Sequence, residues 1–110
     1  MAFHSAWLLV GIAGVLEVVW ATLMKQSAGF TKLGYTVATI VTMVASFLLL
    51  SQAMRVLPLG TAYAVWTGIG AVGAAVVGIV WLGEPRTAWR ILCIGAIVGG
   101  IIGLKVASPA

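Results

Sequence analysis

The chain alternates long apolar runs with short polar breaks, and the runs predict four helices over about 5–24, 33–54, 59–82 and 87–105. At ~1.5 Å rise per residue, each is long enough to cross a hydrocarbon core of roughly 30 Å. The breaks are short and carry most of the charge: Lys25 and Lys32, then Arg55 before Pro58, then Glu84, Pro85, Arg86 and Arg90. Connections this small leave no room for an extramembrane domain. The expected fold is all-α and membrane-integral, one four-helix domain over 1–110, with both ends on the same side. The first run has no basic stretch ahead of it and is longer than a signal-peptide core, so it is read as a retained helix. Pro58 suits the first turn of the third helix, where a missing N–H is harmless, and Pro85 is expected to do the same for the fourth, with Glu84 at its positive end.

Small residues recur at helical spacing. In the fourth run Gly95, Gly99 and Gly103 fall on one face, with Gly100 beside them. Missing side chains there permit close backbone approach, and in lipid such contacts rest on van der Waals packing. The ridge serves either a contact within the chain or a dimer. The dimer is favoured, because four helices of one small chain cannot easily enclose a polar route and also shield it from lipid. The third run carries Gly60, Gly68, Gly70, Gly73, Ala74 and Gly78, which permit close crossing and bending.

Composition sharpens this picture. A hydrophobic content of 63% and a mean hydropathy of +1.20 do not describe a soluble domain. The net charge of +4 comes from basic residues scattered at helix ends. They read as interface anchors, and no nucleic-acid partner is expected. Lys25, Lys32, Arg86 and Arg90 fall on one side, Arg55 and Lys105 on the other. That bias is shallow, so insertion in both orientations is compatible with it. Cys93, the one cysteine, is read as a small packing group. No nucleophile–base pair, metal cluster or phosphate-binding loop is present, so neither an enzyme nor a cofactor is expected.

The chain has two acidic residues, and one of them, Glu17, sits in the middle of the first run. An intramembrane carboxylate is a functional-site hypothesis by default. No Lys or Arg lies well within any run to neutralise it. Desolvation penalises its charged form, so its natural states are protonated, or ionised with a cation beside it. Proton and cation then compete for one site, which is the physical basis of antiport. By three-and-four spacing the Glu17 face also holds Gly14, which is expected to leave room beside the acid, and Trp20. Thr39, Thr42 and Ser46 make a hydroxyl stripe in the second helix; Gly60, Tyr63, Thr67 and Gly70 make one in the third, next to Trp66. Aromatic faces attract cations. Hydroxyls in membrane helices also bond their own helix carbonyls, and for Thr39 and Thr42 both readings stand. Trp7 and Trp81, near run ends, read as interfacial anchors.

These strings, Gly14-Val-Leu-Glu17-Val-Val-Trp20, Pro58-Leu-Gly60-Thr61-Ala62-Tyr63-Ala64-Val-Trp66-Thr67-Gly68-Ile-Gly70 and Gly100-Ile-Ile-Gly103-Leu104-Lys105, resemble the small multidrug resistance family, specifically its SugE-like guanidinium-exporting branch (Gdx). The resemblance covers practically the whole chain. It implies an antiparallel, dual-topology homodimer in the bacterial inner membrane, exchanging guanidinium-type cations for protons. Within it, the first three helices line the pathway, and the fourth makes the dimer contact through Gly95, Gly99 and Gly103. The family's essential glutamate falls on Glu17, its second-helix serine on Ser46, and its aromatics on Trp20, Tyr63 and Trp66. Gly14, Thr39, Thr42, Met43 and Thr67 are the expected pathway-lining positions around them. The partners implied are a second copy, the cation, protons and membrane lipid. The alternatives are the family's multidrug branch, taking bulky quaternary ammonium cations, and a non-transporting membrane assembly subunit with a protonated Glu17.

Overall fold

A computed structural model describes residues 3–107; the outermost positions of the domain expected over 1–110 lie outside the described residues. It contains α1 (Phe3–Gln26), α2 (Leu33–Ala53), α3 (Leu59–Trp81) and α4 (Ala88–Ala107), within two residues of the expected spans. All four are long and apolar enough to cross a membrane.

α1 packs between α2 and α3, while the backbone of α4 comes close to that of α3 alone. The molecule is consequently a slab, with extents of 42 × 35 × 16 Å. Small residues let the helices close. Ala6, Val10 and Ala13 of α1 are fully buried against a cluster that includes Leu50, Ala53, Ala62, Val65 and Trp66. The α3–α4 seam closes at Gly68, where an added Cβ would come 2.8 Å from Cδ1 of Ile101. α4 has no buried residue, and a Cβ on Gly95, Gly99 or Gly103 would meet nothing within 4 Å. Among the described residues nothing packs on the glycine ridge.

Two connections show how the helix ends are set. Between α1 and α2, Ala28, Gly29 and Phe30 have φ of 51°, 74° and 65°. This left-handed turn disfavours side chains at its first and third positions. Buried Ser27 anchors it: its Oγ donates to the Met24 carbonyl (2.7 Å) and accepts from the Phe30 N–H (3.0 Å). At the other connection, Pro85 does not open α4 but lies in the irregular stretch 83–87. Thr87 caps the helix instead, its Oγ1 accepting the Arg90 N–H at 3.3 Å, a role for which a hydroxyl side chain is suited and proline is not. α3 ends where Gly83 takes φ 70° and the N–H groups of Leu82 and Glu84 both reach the Gly78 carbonyl, at 3.2 and 3.0 Å. Glu84 does not stand at the positive end of α4 as a free charge. It folds against Gly78 and pairs with Arg90 at 3.4 Å, an exposed contact contributing about 0–1 kcal/mol.

Candidate functional site

Glu17, in the middle of α1, is turned toward α3 and lies directly on Gly70; a Cβ at that glycine would overlap the carboxylate. Its Oε1 is buried with no hydrogen-bond partner. Among the described residues the ion pair is that of Arg90 with Glu84, remote from this acid at the α3–α4 connection. Glu17 is thus a half-buried carboxylate, held by backbone shape and not by a counter-charge.

Ser46 is fully buried. Its Oγ donates to the carbonyl of Ala13 at 2.7 Å and accepts from Nε1 of Trp66 at 3.0 Å. One hydroxyl therefore ties α1, α2 and α3 together one turn from Glu17. Trp66 continues into a row of rings. Its centroid lies 5.7 Å from that of Tyr63 and 5.8 Å from that of Phe47, and Phe47 meets Trp20 edge-on at 6.2 Å. Such separations fall in the favourable range for ring pairs. Trp20 carries a buried Nε1–H without an acceptor, and Tyr63 is 53% exposed in the single chain. Three helices thus present Trp20, Phe47, Trp66 and Tyr63 in sequence near an unpaired carboxylate. Sequence reasoning missed Phe47. Its only signals were its place next to Ser46 and its spacing of four from Met43.

The remaining expected positions separate. The Thr39 hydroxyl donates to the Tyr35 carbonyl at 2.7 Å, and that of Thr42 to the Ala38 carbonyl at 2.8 Å. Both hydroxyl protons are thus taken by the helix itself, although each oxygen can still accept. Gly14 does not leave space beside the acid: a Cβ there would come 2.6 Å from Cγ2 of Ile69, so α3 fills the room. Met43 is half-buried and Thr67 exposed. Trp81, 75% exposed at the end of α3, stands where an interfacial anchor would. Trp7 does more than anchor, since the Lys105 ammonium lies 4.8 Å from its ring centroid.

The model of the family described as Small Multidrug Resistance protein matches residues 5–97. A guanidinium exporter of Yersinia pseudotuberculosis is 58% identical over 103 residues, covering 94% of this chain and 99% of that protein. Guanidinium exporters of Citrobacter freundii and Salmonella typhimurium are 56% and 55% identical over the same length, covering 94% of this chain and 98% of each relative. Together with the four spans, these matches make this a multi-pass protein of the bacterial inner membrane. The chain belongs to the small multidrug resistance family, whose members are transport proteins and not enzymes.

Proposed function

We propose that the chain exports guanidinium-type cations, small alkylguanidinium ions included, in exchange for protons, working as an antiparallel dual-topology dimer. The observation that carries this reading is the half-buried Glu17 carboxylate, which lies on Gly70 with one buried, unpartnered oxygen. A proton satisfies that oxygen, and so does a guanidinium N–H, whose planar donor fork matches a carboxylate. The two occupants exclude each other, which couples their movements. The names of the relatives support guanidinium as the cation. The neighbouring rings suit it as well, since a flat cation gains from aromatic faces.

Shape supports the dimer. A slab 16 Å thick cannot wrap a polar pathway, and Tyr63 and Thr67 are open on the single chain. The unused Gly95, Gly99 and Gly103 ridge offers the contact. Two copies facing each other bring two Glu17 carboxylates together, so one monovalent cation displaces up to two protons, and the pair titrates as a unit. Insertion in opposite orientations makes the inward state of one copy equivalent to the outward state of the other. In proteoliposomes, Glu17→Gln is expected to abolish proton-driven guanidinium uptake while leaving a dimer. Uptake against a gradient by that variant would overturn the assignment.

A further inference from the structure

The backbones of α1 and α4 do not approach each other closely among the described residues. The gap between them, floored by α3, is a furrow in two parts, of about 790 and 280 Å³. The parts share Ile69, Ile101 and Ile102, so they are continuous. Glu17 does not line the furrow; Val15 and Val18 do, from the other flank of α1. The interior is apolar in effect, because the one hydroxyl in its wall, that of Thr22, donates to the Val18 carbonyl at 2.8 Å.

Its end near the chain termini is different in chemistry. Lys105 lines it together with Trp7 and Gly11. The exposed ammonium lies 4.8 Å from the Trp7 ring centroid and 5.9 Å from that of Phe3. Beside it, Nε1–H of Trp7 is buried and donates to nothing. A cation therefore stands at the mouth of an apolar furrow that runs along membrane-crossing helices.

We infer that this furrow holds the acyl chain of an anionic phospholipid, with the headgroup phosphate on Lys105. The length of apolar wall suits a chain lying along the helices, and the phosphate supplies a counter-charge for the Lys105 ammonium. A second copy of the protein fits worse. Its carboxylate side chains are Glu17 and Glu84; the first lies on Gly70 and the second is paired with Arg90. The glycine ridge of α4 offers such a copy a different face. A zwitterionic lipid would fill the furrow equally well but brings its own cation to the lysine.

The test is native mass spectrometry of the full chain released from detergent containing equal amounts of dioleoylphosphatidylglycerol and dioleoylphosphatidylcholine. Wild type is expected to retain the anionic lipid about fivefold over the zwitterionic one, the size of one lysine's attraction to an anionic headgroup. Lys105→Gln should remove that preference and Lys105→Arg should keep it. Ile102→Trp, which fills the shared part of the furrow, should lower retention of both lipids. Arg55→Gln, exposed on the same side of the bundle, should change nothing. Equal retention by wild type, persistence of the preference in Lys105→Gln, or indifference to Ile102→Trp would overturn the site. An equal loss with Arg55→Gln would reduce it to a general attraction of interfacial charge.

Discussion

The carboxylate of Glu17 occupies the space that a side chain at Gly70 would take. One glycine in α3 therefore sets where the one acid within the helices can stand. A methyl group at position 70 must displace the carboxylate or push α1 off α3, and overpacking of this kind costs about 1–3 kcal/mol. Gly70→Ala is expected to lower guanidinium exchange by roughly tenfold or more. Gly34→Ala, at a position where a Cβ meets nothing within 4 Å, should leave exchange near wild type. Equal activity of the two variants in a proteoliposome flux assay would refute this account of Gly70.

The hydroxyl of Ser46 has two buried partners on two other helices, Ala13 and Trp66. Ser46→Ala leaves the Trp66 indole N–H unmatched, while the Ala13 carbonyl keeps its bond within α1, and is expected to destabilise the fold by about 1–2 kcal/mol, the lower range reflecting how modest such bonds are in membranes. Trp66→Phe removes the donor together with the five-membered ring, so only the coupling between the two changes reports on the bond. A double-mutant cycle on SDS unfolding midpoints should show the two changes to be non-additive, because they share one bond. Strict additivity would mean that the bond contributes nothing.

The helices were legible because each is one uninterrupted apolar run bounded by charge, and their ends fell within two residues of expectation. Glu17, Ser46, Trp20 and Trp66 were legible as unusual residues, but their mutual arrangement was not. The Gly70 register against Glu17 and the bond from Trp66 to Ser46 depend on how α1, α2 and α3 slide past one another, which periodicity within one helix does not specify. Phe47 was hidden by chemistry, since a phenylalanine in an apolar run carries no signal until its neighbours are known. The hydroxyls of Thr39 and Thr42 have the right face, yet the carbonyl four residues back is always within reach and takes their protons. At Pro85 the general preference of proline for a first turn gave way to Thr87, whose oxygen can accept the Arg90 N–H.

The proposed dimer uses the free face of α4. With no hydrophobic drive between helices in lipid, close approach across Gly95, Gly99 and Gly103 must supply the contact. Gly99→Leu should hold two copies apart, giving monomer on size exclusion in mild detergent and loss of transport. A fully active dimer of this variant would remove the ridge from the interface. Dual insertion is read separately by labelling a cysteine placed at Ser108, outside the described residues, in a Cys93→Ala background. Partial reaction from each side of the membrane is expected, and reaction from one side alone would defeat dual topology.

The dependence of cation binding on pH follows from the unpartnered oxygen of Glu17. The ionised carboxylate offers guanidinium a counter-charge and the protonated acid offers none, so binding must displace protons. By linkage, apparent affinity then weakens as pH falls through the titration of the site and becomes constant above it. Below the titration the loss is about tenfold per pH unit if one proton leaves per cation, and about a hundredfold if both carboxylates of a dimer must release theirs. Isothermal titration in buffers of different ionisation enthalpy measures both the affinity and the protons released. Guanidinium should release protons from the wild type and none from Glu17→Gln. Tetraphenylphosphonium, lacking N–H donors, should compete poorly, because rings alone would have to hold it. An affinity flat across pH would make Glu17 a structural acid, and a clear preference for the bulky cation would move the chain to the multidrug branch, where the Trp20, Phe47, Trp66 and Tyr63 row would be the principal binding surface.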